Sequence, residues 1–229
     1  MKKIFLFLSL SVILFSCQNE QKKEEIKDDL SNTIWVNAKY LETLERTKSP
    51  LQAKAFADTV MVNFNAHADT ANIVWNFHEG SEYMVKRGEK IQLFNAYEEK
   101  KIPEFEGMLV NGLLKLGKST FKKVDTTGFI EKKFWIGNYV VDSTNTNIEL
   151  KFDGKIVGVD SLATYYVWSD YITTQTDIDL IDFYAKSNKS VTYGYKFIGK
   201  EIVFYEFIWG DKDQVFGKSG KELFRWKRF

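Results

Sequence analysis

Few residues of this 229-residue chain have the type and spacing to do chemistry. Gly112-Leu113-Leu114-Lys115-Leu116-Gly117-Lys118-Ser119 satisfies the GxxxxGK[ST] spacing in which backbone amides cradle phosphates. That chemistry needs a strand before the loop and a helix after it, so that a helix N-terminus faces the anion. Here three of the four spacers are Leu, and Thr120-Phe121-Lys122-Lys123-Val124 continues as strand. The segment therefore reads as a turn between antiparallel strands. Two histidines, His67 and His78, cannot form a three-His zinc site. A hairpin between them puts them roughly 30 Å apart at ~3.3 Å per residue, so shared metal or haem ligation is not expected. His67 falls in a turn near Asp69, and His78 lies beside Glu79.

Carboxylates are the better enzymatic candidates. Glu206 shares a strand face with Ile202, Phe204 and Ile208, and Asp182 shares one with Ile178, Leu180 and Tyr184. A carboxylate on an apolar face must be paired, protonated or wet, and so can mark a site. Tyr193 is the expected cross-strand partner of Glu206. Yet Val203, Tyr205 and Phe207 make the opposite face apolar too, so alternation alone does not say which face is inward. No GxSxG elbow is present. A glycosidase pair would need carboxyls about 5–9.5 Å apart, a distance that spacing does not supply. No catalytic residue, metal site or cofactor is assigned. Trp75, Phe77, Tyr193, Tyr195 and Phe204, with Glu206, are the candidate lining of a ligand cavity, core filling being the competing role.

Composition narrows the partners. The chain carries 32 Lys and Arg against 31 Asp and Glu, intermingled throughout, which gives no basic surface for nucleic acid. No apolar run after the first fifteen residues reaches the roughly 18–20 needed to cross a bilayer.

Those first residues carry an address. Lys2 and Lys3 precede an apolar stretch from Ile4 to Phe15, the layout of a cleaved export signal. It ends in Leu14-Phe15-Ser16-Cys17, which resembles the lipobox of bacterial lipoproteins: an aliphatic residue, a small residue, then the Cys that receives the lipid. The resemblance implies removal of residues 1–16 and acylation of Cys17, with palmitate-type chains. Cleavage would leave 30 basic against 31 acidic side chains, and Cys17 as the single cysteine, already consumed. Residues 17–30 are then a tether: positions 18–29 hold eight charges and one large apolar side chain, too few apolar groups to pack. Gln18 after the Cys resembles outer-membrane sorting, and the Lys/Glu/Asp stretch resembles surface-export tethers of Bacteroidota lipoproteins. The expected location is the outer membrane, on its periplasmic or its outer face.

The elements that must position any site are mostly strands. Ala38–Lys48 places Ala38, Leu41 and Leu44 on one helical face. Ser49-Pro50-Leu51-Gln52 is a fresh helix start, with Ser as N-cap and Pro at N1, so helices are expected at about 38–57. Thereafter the period is two. A turn over His67–Thr70 pairs Phe64 with Ile73, Val62 with Trp75 and Val60 with Phe77. An Arg87-Gly88 turn sets Met84 opposite Ile91, and Asp153-Gly154 sets Leu150 opposite Val157 and Ile148 opposite Val159. Gly199-Lys200, as a type II′ turn, matches Phe197 with Ile202, Tyr195 with Phe204 and Tyr193 with Glu206.

Many short strands without crossover helices predict an all-β fold with a short N-terminal helical segment. The antiparallel meander closes into one lipocalin-like barrel or two tandem small barrels. Trp35 and Trp135 open two halves, 31–126 and 127–229, and Thr120–Val124 resembles Leu223–Lys227 as a closing strand. The pattern resembles lipocalin-like (calycin) domains of bacterial lipoproteins, in which an early Trp packs on a basic residue of the last strand. That resemblance implies a contact of Trp35 with Arg225 or Arg228, although Thr33 stands where the family carries Gly. It also implies a non-catalytic binding module for a small hydrophobic or amphipathic ligand. The alternative is a structural or assembly lipoprotein that binds another envelope protein. The expected partners are the membrane, through the anchor, and one of these two, with no nucleic acid.

Overall fold

The computed structural model describes residues 30–98, 102–210 and 216–229. The expectations for the export signal, Cys17 and the tether up to position 29 lie outside the described residues. Among the described residues, sixteen strands form two antiparallel eight-stranded sheets. The first holds β1 (Ile34–Asn37), β2 (Met61–Phe64), β3 (Thr70–Trp75), β4 (Glu79–Arg87), β5 (Ile91–Asn95), β6 (Phe105–Val110), β7 (Leu113–Leu116) and β8 (Ser119–Val124). Pairing of β8 with β1, Ile34 against Val124 and Asn37 against Phe121, closes it into a barrel.

The second holds β9 (Gly137–Val141), β10 (Thr146–Leu150), β11 (Ile156–Val157), β12 (Thr164–Val167), β13 (Asp179–Tyr184), β14 (Ser190–Ile198), β15 (Glu201–Trp209) and β16 (Gly217–Arg228). Here β16 returns to β9, Trp226 against Val141. The edges β11 and β12 meet through Ile156 N–H to Ala163 O (2.9 Å) and Tyr165 N–H to Gly154 O (2.7 Å). Both sheets are thus the same up-and-down meander, and the chain is all-β with two small barrels rather than one large one.

Between β1 and β2 lies the helical segment, α1 (Ala38–Thr47) and α2 (Pro50–Ala53), followed by a 3₁₀ turn (Lys54–Phe56). Asn37 caps α1 by accepting from Lys39 and Tyr40 N–H, and Lys48 ends it in the left-handed region at φ 56°. Ser49 caps α2 by accepting from Gln52 N–H at 3.0 Å, as its sequence predicts. The buried face of α1 (Tyr40, Leu41, Leu44) does not fill the barrel whose strands flank it. It joins a core with Trp135, Ile181, Phe183 and Tyr195 of the second barrel and with Met61 and Val74 of the first. Lys48 Nζ reaches Gly199 O (3.5 Å) and lies over the Phe197 ring. A segment of the first barrel therefore covers one end of the second.

Loop length decides how the predicted registers fare. The Gly199-Lys200 hairpin has the expected pairing throughout, with Gly199 at φ 62°. In the β2–β3 hairpin the partners are Phe64–Ala71 and Val62–Ile73, two residues from expectation, because the Asn65 side chain accepts from His67 and Asp69 N–H and starts the turn one residue early. A slip of two keeps every side chain on its face. Phe77 consequently pairs with nothing: with Asn76 it forms a turn, at φ 67° and 51°. At 87–88 the strand runs on to Arg87, which pairs with Ile91 around a three-residue loop, so Met84 faces Phe94 and is exposed. At 153–154 an extra residue enters the turn, with Gly154 at φ 77°, and Leu150 pairs with Ile156, leaving Val157 outside. The phosphate-loop spacing is a strand rather than a turn. Leu113–Leu116 is β7, between an Asn111-Gly112 turn (φ 53° and 73°) and a turn at Gly117.

The implied contact of Trp35 with Arg225 or Arg228 is not made. Trp35 pairs across the first barrel with Lys123 of its own closing strand. Its indole donates to Thr33 Oγ1 (2.8 Å), which in turn donates to Leu30 O (2.6 Å), so the Thr in place of Gly supplies the indole's partner. Arg225 instead pairs with Glu201 and Glu222, and Arg228 donates to Ile136 O (2.6 Å) beside Gly137.

Candidate functional site

The residues expected to line a cavity fall in three places. Trp75 packs half-buried on the core of the first barrel, and Phe77 packs at the joint, 5.4 Å from the Tyr40 ring. Tyr193, Tyr195 and Phe204 converge inside the second barrel, where rings fill the space between them. Phe204 stacks on Phe224 (centroids 4.7 Å) and tilts against Trp226 (4.6 Å), while Tyr193 meets Phe224 edge-on at 5.4 Å. Tyr195 lies edge-on to Trp135 at 4.7 Å, and Trp135 sits in a π-helical turn (Glu131–Trp135) before β9. Glu206 pairs with Tyr193 as expected and is exposed, beside Gly220 of β16.

The two carboxylates do not converge. Asp182 pairs with Thr192, one residue out of phase with the Ile181–Tyr193 pair, so it points to the opposite face of the sheet from Tyr193 and Glu206. It is occupied there, accepting from Trp168 Nε1 (2.9 Å) and Thr192 Oγ1 (2.6 Å). His78 is exposed in the turn before β4, next to Glu79 as expected, with its Nε2 3.8 Å from Asp170 of the second half. Among the described residues, no cluster of His, Cys, Asp and Glu could hold a metal ion, and no helix is long and apolar enough to cross a membrane.

The sequence reading missed a buried polar cluster at the joint. Asp179, the first residue of β13, accepts from Leu51 N–H of α2 at 2.8 Å. Burial pushes its carboxyl up from 3.8 to about 6, against the lowering effect of the Ser49 hydroxyl, the Leu51 amide and the Lys196 charge. Tyr171 OH accepts from Leu180 N–H (2.6 Å), whereas the Tyr40 and Tyr195 hydroxyls are buried without a partner among the described residues. Burial and the Asp179 charge raise all three phenols. No local signal marks Asp179, because Asp177 and Asp182 share its strand region and only the packing of α2 separates their roles.

Open clefts lie on the outside of the described residues. One, about 750 Å³, lies along the end of β15 and the start of β16, where Ile172, Ile208 and Phe216 are exposed beside Trp209, with Gln175, Asp177 and Lys218 on its rim. Its wall is built by the loop before β13: Gly217 N–H bonds Gln175 O (3.1 Å), and Asp177 accepts from Ser219 N–H and Oγ. Behind it, Tyr171, Ile178 and Leu180 form a small separate core, with Ile178 seated on Gly194, where a Cβ would lie 2.8 Å from it. The second cleft, about 780 Å³, lies between α1, β8 and the π-helical turn and is rimmed by Lys122, Lys123, Lys132 and Lys133. Two Lys-Lys pairs ten residues apart were the visible signal for it. Comparison with known proteins finds no match: no family model, no curated protein and no solved structure is similar to the chain.

Proposed function

We propose that this protein is a non-catalytic binding module of the bacterial cell envelope. It is held at the outer membrane by acylated Cys17 and works from the outside of its barrels. The resemblance of Leu14–Cys17 to a lipobox supports the anchor, and the barrel architecture accords with the calycin-like expectation. The observation that carries the mode of binding is the packing of Tyr193, Tyr195 and Phe204 ring against ring, which leaves these side chains to the core rather than to a ligand. Exposed apolar residues gather instead at Ile172, Ile208 and Phe216, the composition of a protein-binding patch. The favoured partner is therefore another envelope protein.

Photo-crosslinking in intact cells tests this reading. A crosslinker at Ile208 or Phe216 should yield a defined protein adduct, and one at Met84, exposed on the first barrel, should not. Equal adducts at all three, or none, would remove the patch from consideration. Native mass spectrometry of the full chain carrying Cys17→Ser tests the rival: a small molecule released only on unfolding would restore the lumen as the site.

A further inference from the structure

We propose that the outer face of β12–β14 binds a soluble trimethylammonium compound of the choline class, independently of the protein-binding patch. The centre of the site is Asp182. Its register sets Tyr166 of β12 on one side and Thr192 of β14 on the other. Trp168, just beyond β12, is two residues from Tyr166, and Tyr184 is two residues from Asp182, so both share this face. Three aromatic side chains thus surround one carboxylate. Tyr166 is 42% exposed, while Trp168, Tyr184 and Asp182 are half-buried, and Trp168 is braced by Trp209 at 6.0 Å between centroids.

The donors to Asp182, Trp168 Nε1 (2.9 Å) and Thr192 Oγ1 (2.6 Å), are both neutral, so they fix the carboxylate and leave its charge uncompensated. Among the described residues no Lys or Arg lies within 4.0 Å of Asp182 or of Asp170, whose ion-pair partner is His78 at 3.8 Å. The field reaches the flanking rings. Burial and then Asp182 raise the Tyr184 phenol; burial, Glu131, Asp170 and Asp182 raise that of Tyr166, against the Ser169 hydrogen bond. A cation answers both features, because the π-face of a ring attracts it and the carboxylate supplies the opposite charge. Both oxygens of Asp182 already accept a hydrogen bond, so an ammonium with N–H groups, strongly hydrated in water, finds little here to replace that water. A quaternary ammonium donates nothing and lays its methyl groups on the rings. A neutral alcohol leaves the charge unanswered. A soluble compound fits better than a lipid headgroup, because an acidic face is repelled by an anionic membrane surface.

Choline chloride titrated into the full chain carrying Cys17→Ser, with sodium chloride holding the ionic strength constant, tests the proposal. The signal is the indole N–H resonance of Trp168, identified by its loss in Trp168→Phe. Choline should shift it saturably, and ethanolamine and neohexanol, the neutral carbon isostere of choline, should each bind at least about fivefold more weakly. Asp182→Asn should weaken choline by about tenfold and Tyr166→Leu by about fivefold, while Tyr166→Phe should retain it, as a ring face rather than a hydroxyl requires. Ile208→Ala, in the protein-binding cleft, should change it by less than about twofold. Tyr166 is exposed, so its replacement does not put folding at stake, and the comparison of choline with neohexanol needs no variant. Neohexanol or ethanolamine binding as tightly as choline, or choline affinity unchanged in Tyr166→Leu, would overturn the proposal. Pelleting with phosphatidylcholine vesicles without a shift by free choline would also overturn it and make this face a membrane contact.

Discussion

The two barrels share one wiring diagram and are filled in different ways. Each is an eight-stranded meander whose last strand returns to its first. The first barrel is packed mainly with Val, Ile, Leu and Ala, with Trp35, Phe64, Tyr83 and Phe121 spaced among them. The second is packed ring on ring, with Trp135, Tyr139, Tyr165, Phe183, Tyr195, Phe204 and Trp226 all buried. The first barrel also lends its helical segment to the second, where Tyr40, Leu41 and Leu44 join the aromatic core. The difference teaches that one topology is filled equally well by aliphatic or by aromatic side chains, the inner-face residues setting which. It also makes the second barrel depend on the first.

Truncation at the centre of the aromatic core should have the largest effect. Trp135→Ala deletes a fully buried ring that touches Tyr165, Tyr195 and Phe197, and the rigid rings around it collapse poorly. It should cost about 3–5 kcal/mol in urea unfolding and abolish much of the near-ultraviolet dichroism. Leu44→Ala sharpens the dependence of one barrel on the other. Leu44 belongs by sequence to the first barrel but is buried with the second. It should cost about 2–5 kcal/mol and perturb the aromatic signal of the second barrel more than Leu93→Ala, placed wholly in the first core. A perturbation confined to the first barrel would break the argument that α1 is the other's lid.

How much of this was legible follows the same divide between local and distant causes. The β14–β15 hairpin was readable because Gly199 has to adopt φ 62° and the flanking apolar alternation matches a two-residue loop. The β10–β11 hairpin has as strong a turn signal, but one extra residue enters its loop, and that inverts the faces of Ile156 and Val157. The caps of α1 and α2 were written in Asn37, Ser49 and Pro50, while the surface on which α1 docks was written more than 80 residues away, in Trp135, Ile181 and Tyr195. The site residues divide likewise: the Tyr193–Glu206 pair is a matter of register, but whether Tyr193 borders a void or Phe224 depends on a strand that sequence alone does not bring near.

The joint supplies a pH dependence that the first barrel lacks. A carboxyl raised from 3.8 to about 6 binds its proton more tightly in the folded state, so the protonated form is the stabilised one. Stability should fall as pH rises from about 4 to about 6 and level off above, by about 3 kcal/mol in all. In the first barrel, Asp69 and Glu106 are held low by hydrogen bonds but lie fully in solvent, where screening leaves little slope. Asp179→Asn keeps an acceptor for Leu51 N–H and should flatten the slope when urea midpoints are compared on both sides of pH 6. A slope that persists in the variant would move the effect to another group.

The smallest effect isolates the hydroxyl that links cap and carboxylate. Ser49 Oγ accepts from Gln52 N–H to start α2, and its hydroxyl also lowers the proton affinity of Asp179. Ser49→Ala should therefore act twice: a loss of about 1 kcal/mol from the cap at any pH, and an upward displacement of the Asp179 titration, because one donor to the carboxylate is gone. The added loss appears only above the carboxyl's pKa, where the charge needs its donors. A variant whose deficit is the same at low and neutral pH would show Ser49 to be a cap alone, with Leu51 N–H as the contact that holds the helical segment to the second barrel.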